Sequence, residues 1–359
     1  MNANQQQITN AVLQSKNAFP LGWLIIGLLA LVAFFSTVAN GQVERVESVG
    51  FTVSDMDKAI DFYTRVLSFE TVSDKEIWGE DFEHLSGIFG ARVRVVRLKL
   101  GNETLELTEY LTAGGRPIPV DSRSNDQWFQ WFQHIAIIVS DMDKAYQHLR
   151  KNKIRHASTA PQTLPKTIPA AFGISAFYFK DFDNHVLEIL QFPTDKGAAK
   201  WHDLAKDKNK LFLGIDHTAI VVGDTDESLK FYRDSLGLTV AGTSENFGTE
   251  QEHLNNVFGA KLHITGLKTR EEGIAVEFLE YVAPRDGRAF PKDTRSNDLW
   301  HWQTSFESSK IDGLASVLKQ KNYDFISTGI VQTNGNNFGF NKAFLIRDTD
   351  GHAVRVLEK

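Results

Sequence analysis

One opening recurs along this chain: "VGFTVSDMDKAIDFY" from Val49, "HIAIIVSDMDKAY" from His134 and "HTAIVVGDTDESLKFY" from His217. Each is an apolar run that breaks at a Ser-Asp or Gly-Asp pair and resumes with apolar residues at helical spacing. Each therefore predicts a strand followed by an amphipathic helix. Ser54 followed by Asp57, and Ser140 followed by Asp143, read as helix caps. A strand, a short "EHLNNVFGA"-type segment and two further strands complete the unit. The closing strands are "TLELTEYL", "NHVLEILQF", "AVEFLEYV" and "GHAVRVLEK". The chain is thus four βαβββ modules, which makes it an α+β protein.

The repeat has a second level. Ser48 and His217 are 169 positions apart, as are His84 and His253, and His134 and Gln303. A pair of modules has been duplicated, with its connector: "GRPIPVDSRSND" returns as "GRAFPKDTRSND", rich in turn formers. The first half is assigned to residues 43–193, with modules 43–114 and 130–193. Residues 194–213 form a connector, and the second half spans 214–359 with modules 214–285 and 299–359.

Before these modules, "LGWLIIGLLALVAFFSTVANG" runs uncharged from Leu21 to Gly41, with Lys16 ahead of it and Glu44, Arg45 and Glu47 behind. That pattern predicts a signal peptide or membrane anchor over residues 1–42, since a spanning helix needs ~20 apolar residues. "TVANGQ" offers small residues for cleavage. The expected location is exported: periplasmic, secreted or held at the membrane. The chain has no cysteine, which removes disulfides, thiolate ligands and thiol nucleophiles. A net charge of -6 gives no footing for nucleic acid as a partner.

The openings, the helix ends "FYTRVLSF" and "FYRDSLGL", and the closings "DNHVLEIL" and "DGHAVRVL" resemble the vicinal oxygen chelate superfamily. That group includes glyoxalase I, methylmalonyl-CoA epimerase, extradiol dioxygenases and antibiotic-resistance proteins. The resemblance covers about residues 46 to 359. It implies that the modules pair into two cup-shaped mixed sheets and that a cup holds one divalent metal and a small-molecule substrate, each module giving the metal one residue from its first strand and one from its last. Those positions here are Ser48 and Glu106, His134 and Glu188, His217 and Glu277, and Gln303 and Arg355. Only the two middle modules hold a complete histidine–carboxylate pair.

Strand parity supports two of the carboxylates independently. Val186, Glu188 and Leu190 share a face, as do Ala275, Glu277 and Leu279. A carboxylate between apolar neighbours needs a compensating partner. Glu109 and Glu280 fall on the opposite, solvated face. Ser48 reads as a small core residue. Arg355 cannot ligate a cation and would close a degenerate site or bind an anion. Arg123 and Arg295 read as loop-pairing residues, His185 and His352 as turn residues, and His84 and His253 as residues of a pocket mouth.

Two pairings are open. If module two faces module three, His134, Glu188, His217 and Glu277 form the His₂Glu₂ set of glyoxalase I-like proteins. If neighbours pair, the fallback is Glu106, His134 and Glu188. The crossed arrangement is preferred because it alone completes a ligand set. The implied cofactor is one divalent ion among Zn, Ni, Co, Mn and Fe. Glu188 or Glu277 would be the catalytic base of a glyoxalase- or epimerase-type lyase or isomerase. The alternatives are an extradiol-type dioxygenase and a non-catalytic binding protein.

Overall fold

The computed structural model describes residues 42–126, 133–333 and 335–359. The apolar segment predicted over residues 1–42 lies outside them except for Gln42. Among the described residues, no helix is long and apolar enough to cross a membrane.

Module one contains β1 (Arg45–Val53), α1 (Met56–Asp61), β2 (Glu70–Trp78), α2 (Glu80–Ser86), β3 (Arg92–Leu100) and β4 (Glu103–Tyr110). Module two has β5 (Gln133–Val139), α3 (Met142–Lys151), the two-residue β6 (Arg155–His156) and β7 (Gln162–Thr163), then β8 (Ser175–Lys180) and β9 (Val186–Gln191). A connecting helix, α4 (Ala199–Leu204), precedes module three. That module has β10 (Phe212–Val222), α5 (Thr225–Tyr232), β11 (Thr239–Phe247), α6 (Thr249–Asn255), β12 (Lys261–Lys268) and β13 (Ala275–Ala283). Module four has β14 (Trp302–Glu307), α7 (Ile311–Gln320), the short β15 (Val331–Gln332), β16 (Lys342–Arg347) and β17 (Ala353–Glu358).

The even-numbered modules depart from the predicted pattern because their second strand is reduced to short pieces. Prolines at 161, 165 and 169 withhold ladder donors in module two, and "TNGNNFG" breaks the run in module four. The helix caps also lie one residue later than predicted. Asp55 and Asp141 accept from Lys58 N and Lys144 N at 3.0 and 2.9 Å. Ser54 instead donates to Asp183 at 2.5 Å, across to another module.

The modules cross. One sheet has the order β15-β16-β17-β14-β1-β4-β3-β2 and the other β11-β12-β13-β10-β5-β9-β8-β6. Module one is joined to module four through the antiparallel β1/β14 seam, and module two to module three through β5/β10. Each sheet therefore runs across both halves of the sequence repeat. One apolar core links all four modules, taking in Phe51, Ile137, Phe231 and Phe344.

The repeated connector explains how the crossing is held. Arg116 grips Asp298 of the second connector at 2.7 Å, and Arg288 grips Asp126 of the first at 2.7 Å. Beside them the backbones nearly touch. A Cβ on Gly115 would lie 1.9 Å from Asn297 O, and one on Gly287 1.8 Å from Asn125 O. Only glycine permits that approach. Arg123 pairs with Asp286 at 2.8 Å, and Arg295 N donates to Asp298 at 2.8 Å, so both belong to this clasp.

Candidate metal centre

The β5/β10 seam places two histidines diagonally across from each other. Ala219 opposes His134 and His217 opposes Ala136. The parallel neighbours complete the set, because Glu188 on β9 lies beside Ala136 and Glu277 on β13 lies beside Ala219. Strand alternation then turns all four side chains to the concave face. His134 Nε2 is 3.5 Å from Glu188 Oε2, and His217 Nε2 is 3.7 Å from both Glu188 Oε2 and Glu277 Oε1. His134, Glu188 and His217 offer ligand atoms all within 4.8 Å of one another.

These separations are informative. His134 Nδ1 and Nε2 and His217 Nε2 are buried with no hydrogen-bond partner. A buried polar atom without a partner is costly, and the facing carboxylate oxygens stand too far away for good hydrogen bonds. A cation among them would satisfy imidazole and carboxylate together. Nitrogen and oxygen donors without sulfur suit the borderline divalent metals named above. The residues present fit a divalent ion.

A bulge in β10, between Ile215 and His217, brings in Asp216. Its Oδ2 meets His217 Nδ1 at 3.0 Å, and its Oδ1 accepts from Trp201 Nε1 at 2.7 Å. With Nδ1 so engaged, Nε2 is left facing the cup. Burial disfavours the His217 imidazolium, but Glu277, Asp216 and Glu188 outweigh it and raise its pKa to about 10. Burial also raises the Glu277 carboxyl, and Glu188 adds to that rise. Among the two glutamates, Glu277 is the more open, its side chain 28% exposed against 5% for Glu188.

Glu188, His217 and Glu277 line the floor of a cavity of about 660 Å³, and His134 is buried beside them. Leu164, Ile174, Leu190 and Phe192 supply an apolar wall, and Asn246, Gln251 and Asn255 a polar one. Neither these amides nor Asp216 was anticipated from the sequence. The 169-residue offset could have exposed the amides, since their counterparts are Ile77, Phe82 and Ser86.

The β1/β14 cup is different. Arg355 Nη1 donates to Glu106 at 2.7 Å, and Arg97 lies 3.4 Å from Glu106 while also pairing with Glu47. The space here is divided by these groups into a cavity of about 50 Å³, lined in part by Gln303, His301, Phe338 and Phe340, and one of about 280 Å³ on the Glu47 and Arg97 side of Glu106. Ser48 is fully buried in this sheet. The fallback set is not assembled: Glu106 sits in this cup, while His134 and Glu188 sit in the other.

Outside the floors, His185 and His352 are turn residues, held by Asp181 and Asp348 at 2.8 Å. His84 and His253 line neither cavity; their carbonyls accept from Thr328 N and Thr159 N at 3.0 Å. Glu109 and Glu280 are half-buried rather than solvated, and Glu280 accepts from Thr225 N at 3.1 Å at the start of α5.

Two βαβββ modules paired around a shared His/Glu floor define a class of fold, and comparison with known families agrees. Residues 45–189 and 214–356 each match the family model described as Glyoxalase/Bleomycin resistance protein/Dioxygenase superfamily. The chain belongs to that superfamily. It is 30% identical over 153 residues to a 2-epi-5-epi-valiolone epimerase of an Actinomyces species, covering 41% of this chain and 79% of that protein. Its fold is similar to that of glyoxalase I from Zea mays, with TM-score 0.58 and 15% identity over 88% of this chain and 92% of that one. A point mutant of the maize enzyme gives 0.59 and 14%, with the same coverage.

Proposed function

We propose that the β5/β10 cup is the active site of a divalent-metal epimerase or isomerase acting on a small molecule with adjacent oxygens. The observation that carries this reading is the convergence of unpartnered imidazoles and two glutamates at the floor of a roomy cavity. A bound divalent ion would supply polarisation of a substrate carbonyl, making the neighbouring C–H acidic. His134 and His217 would hold that ion, with Asp216 fixing the orientation of His217. Glu277, the more open carboxylate, would take the proton. Glu188 stands on the other strand flank of the seam, so proton removal by one glutamate and return by the other would invert a carbon centre. The epimerase relative supports a reaction of this type.

The test is metal analysis of protein purified without added metal, paired with His134→Ala and Glu277→Gln. One divalent ion per chain is expected in the parent and none held tightly by His134→Ala. Glu277→Gln should lose exchange of the substrate's C–H proton with deuterated solvent. Equal metal content in the parent and His134→Ala would sink the assignment.

One observation favours a second reading. His134, His217 and Glu188 cluster more tightly with each other than with Glu277, and two histidines with one carboxylate is also the ferrous set of oxygenases. Iron in the purified protein with oxygen uptake on a catechol would establish that reading.

We also propose that residues 1–42 direct export, supported by the uncharged run from Leu21 to Gly41. Residues 43–359 expressed alone should be soluble and folded, and should stay in the compartment of synthesis. Aggregation of that fragment would count against the proposal.

A further inference from the structure

The polar wall of the large cavity is a continuous rank of amides. Asn246 is the penultimate residue of β11, and Gln251 and Asn255 lie one turn apart on α6. Ser244 hydrogen-bonds to Asn246, Asn246 Nδ2 donates to Gln251 Oε1 at 2.9 Å, and Gln251 hydrogen-bonds to Asn255. All three amide residues are 3% exposed or less, yet all line the cavity. Burying three primary amides is expensive unless they are well bonded. Each amide nitrogen has two hydrogens and each oxygen two lone pairs, so a chain of single bonds between neighbours leaves capacity on every member.

The other cup shows that the fold does not require this rank. At the 169-residue offset, Asn246 corresponds to Ile77, Gln251 to Phe82 and Asn255 to Ser86. Those three residues line the small cavity, on the same elements of the same module type. There an apolar wall accompanies a floor closed by Arg355. The amides therefore occur with the unpartnered histidines and are replaced where the floor is closed.

We propose that Asn246, Gln251 and Asn255 are specificity residues that read hydroxyl groups, and that the substrate is a polyhydroxylated ketone. This rests on the reading of the floor as a metal centre. Two adjacent oxygens would engage that floor, and further hydroxyls would both donate to and accept from the amide rank. The carbon skeleton would lie against Leu164, Ile174 and Phe192 opposite. A ligand bearing only the adjacent oxygens would leave the amides facing bare carbon, which a site built for hydrogen bonding rejects.

The experiment compares two probes by calorimetry: 2-keto-myo-inositol, and 2-hydroxycyclohexanone, which lacks the extra hydroxyls. Both are titrated into metal-loaded and metal-stripped full-length protein. The parent should prefer the polyol ketone by roughly 10- to 100-fold. A triple variant carrying the other cup's residues, Asn246→Ile, Gln251→Phe and Asn255→Ser, should retain metal and narrow the preference to roughly 3-fold. The single, length-preserving Gln251→Met should narrow it part-way, and it serves if the triple variant does not fold. No preference in the parent, or an undiminished one in the variants, overturns the proposal. So does equal weakening of both probes, because the amides would then be shaping the cavity rather than reading hydroxyls. Failure to bind metal with the preference intact would instead fell the metal reading and leave the amide wall standing.

Discussion

The two cups share strand order and register, yet one holds a cavity of about 660 Å³ and the other is divided into spaces of about 50 and 280 Å³. Position by position, the large cup has His134, His217, Glu188 and Glu277 where the small one has Gln303, Ser48, Arg355 and Glu106. Gly266, opposite Glu277, corresponds to Arg97, opposite Glu106. Both cups bury carboxylates on their floors. The small cup neutralises them with its own guanidinium groups, and the space between the strands is thereby divided. The large cup leaves them facing imidazoles at distances that only an added cation would close. The contrast separates a floor built for stability from one that gives up stability to keep a binding site open.

The largest effect should come from making one floor resemble the other at a single position. A Cβ on Gly266 would have only Gly242 O within 4 Å, at 3.8 Å. Gly266→Arg can therefore project a guanidinium toward Glu277, as Arg97 does toward Glu106. The variant should fold and lose its divalent ion entirely, read by elemental analysis. Full metal retention would break the equivalence of the two floors.

Next in size is the difference between the two buried glutamates. Glu106→Gln leaves Arg355, only 6% exposed, without its counter-charge. Removing one partner of a buried pair costs about 3–5 kcal/mol, measurable by urea unfolding. Glu188→Gln in metal-stripped protein leaves the His217 imidazolium still facing Glu277 and Asp216, so it should cost clearly less than Glu106→Gln. If both substitutions cost the same, the two carboxylates play the same role and the comparison fails.

The extent to which this contrast was legible in the sequence follows from its physics. The convergence of His134, Glu188, His217 and Glu277 was legible because strand parity and matched module positions mark them, and the crossed pairing followed because only that pairing completes a set. The closing of the small cup was legible at Arg355, which cannot ligate, but not at Arg97, whose role depends on lying across from Glu106. Asp216 was hidden for a similar reason. Only a bulge turns a residue adjacent to His217 toward the same side, and alternation alone would send it to the other face. The amides read as ordinary polar positions of a strand end and a short helix. The cap shifted from Ser54 to Asp55 because Ser54 is engaged by Asp183, 129 residues away in sequence, which no local rule detects.

The small cup's internal neutralisation should also be visible in acid. Burial works against the Glu47 carboxylate, but Arg97 and Arg355 outweigh it and bring its pKa down from 4.5 to about 2. A carboxylate held below its unfolded value adds stability that is fully present above pH 4.5 and is lost as pH falls toward 2. The shift corresponds to about 3 kcal/mol. Unfolding free energy should decline across that window, and Glu47→Gln should flatten the decline. An unchanged slope in the variant would remove Glu47 from the account.

The smallest effect separates the two bulge residues themselves. Glu47 and Asp216 occupy matched positions, 169 apart, and both strands shift register there. Glu47 serves the arginines, whereas Asp216 serves His217 and is tied in turn by Trp201. Asp216→Asn keeps the size and the bond to Trp201 but offers His217 Nδ1 a weaker, uncharged acceptor. A carboxylate behind a metal-binding histidine typically contributes 10- to 100-fold in affinity, about 1.4–2.8 kcal/mol. Competition with a chromophoric chelator should show a loss of roughly that size, while thermal stability of the metal-free protein changes little. If Asp216 acts by orienting His217, the loss should appear in metal affinity and vanish at saturating metal. A variant still inactive at saturating metal would mean that Asp216 acts in proton transfer and not only by orienting His217.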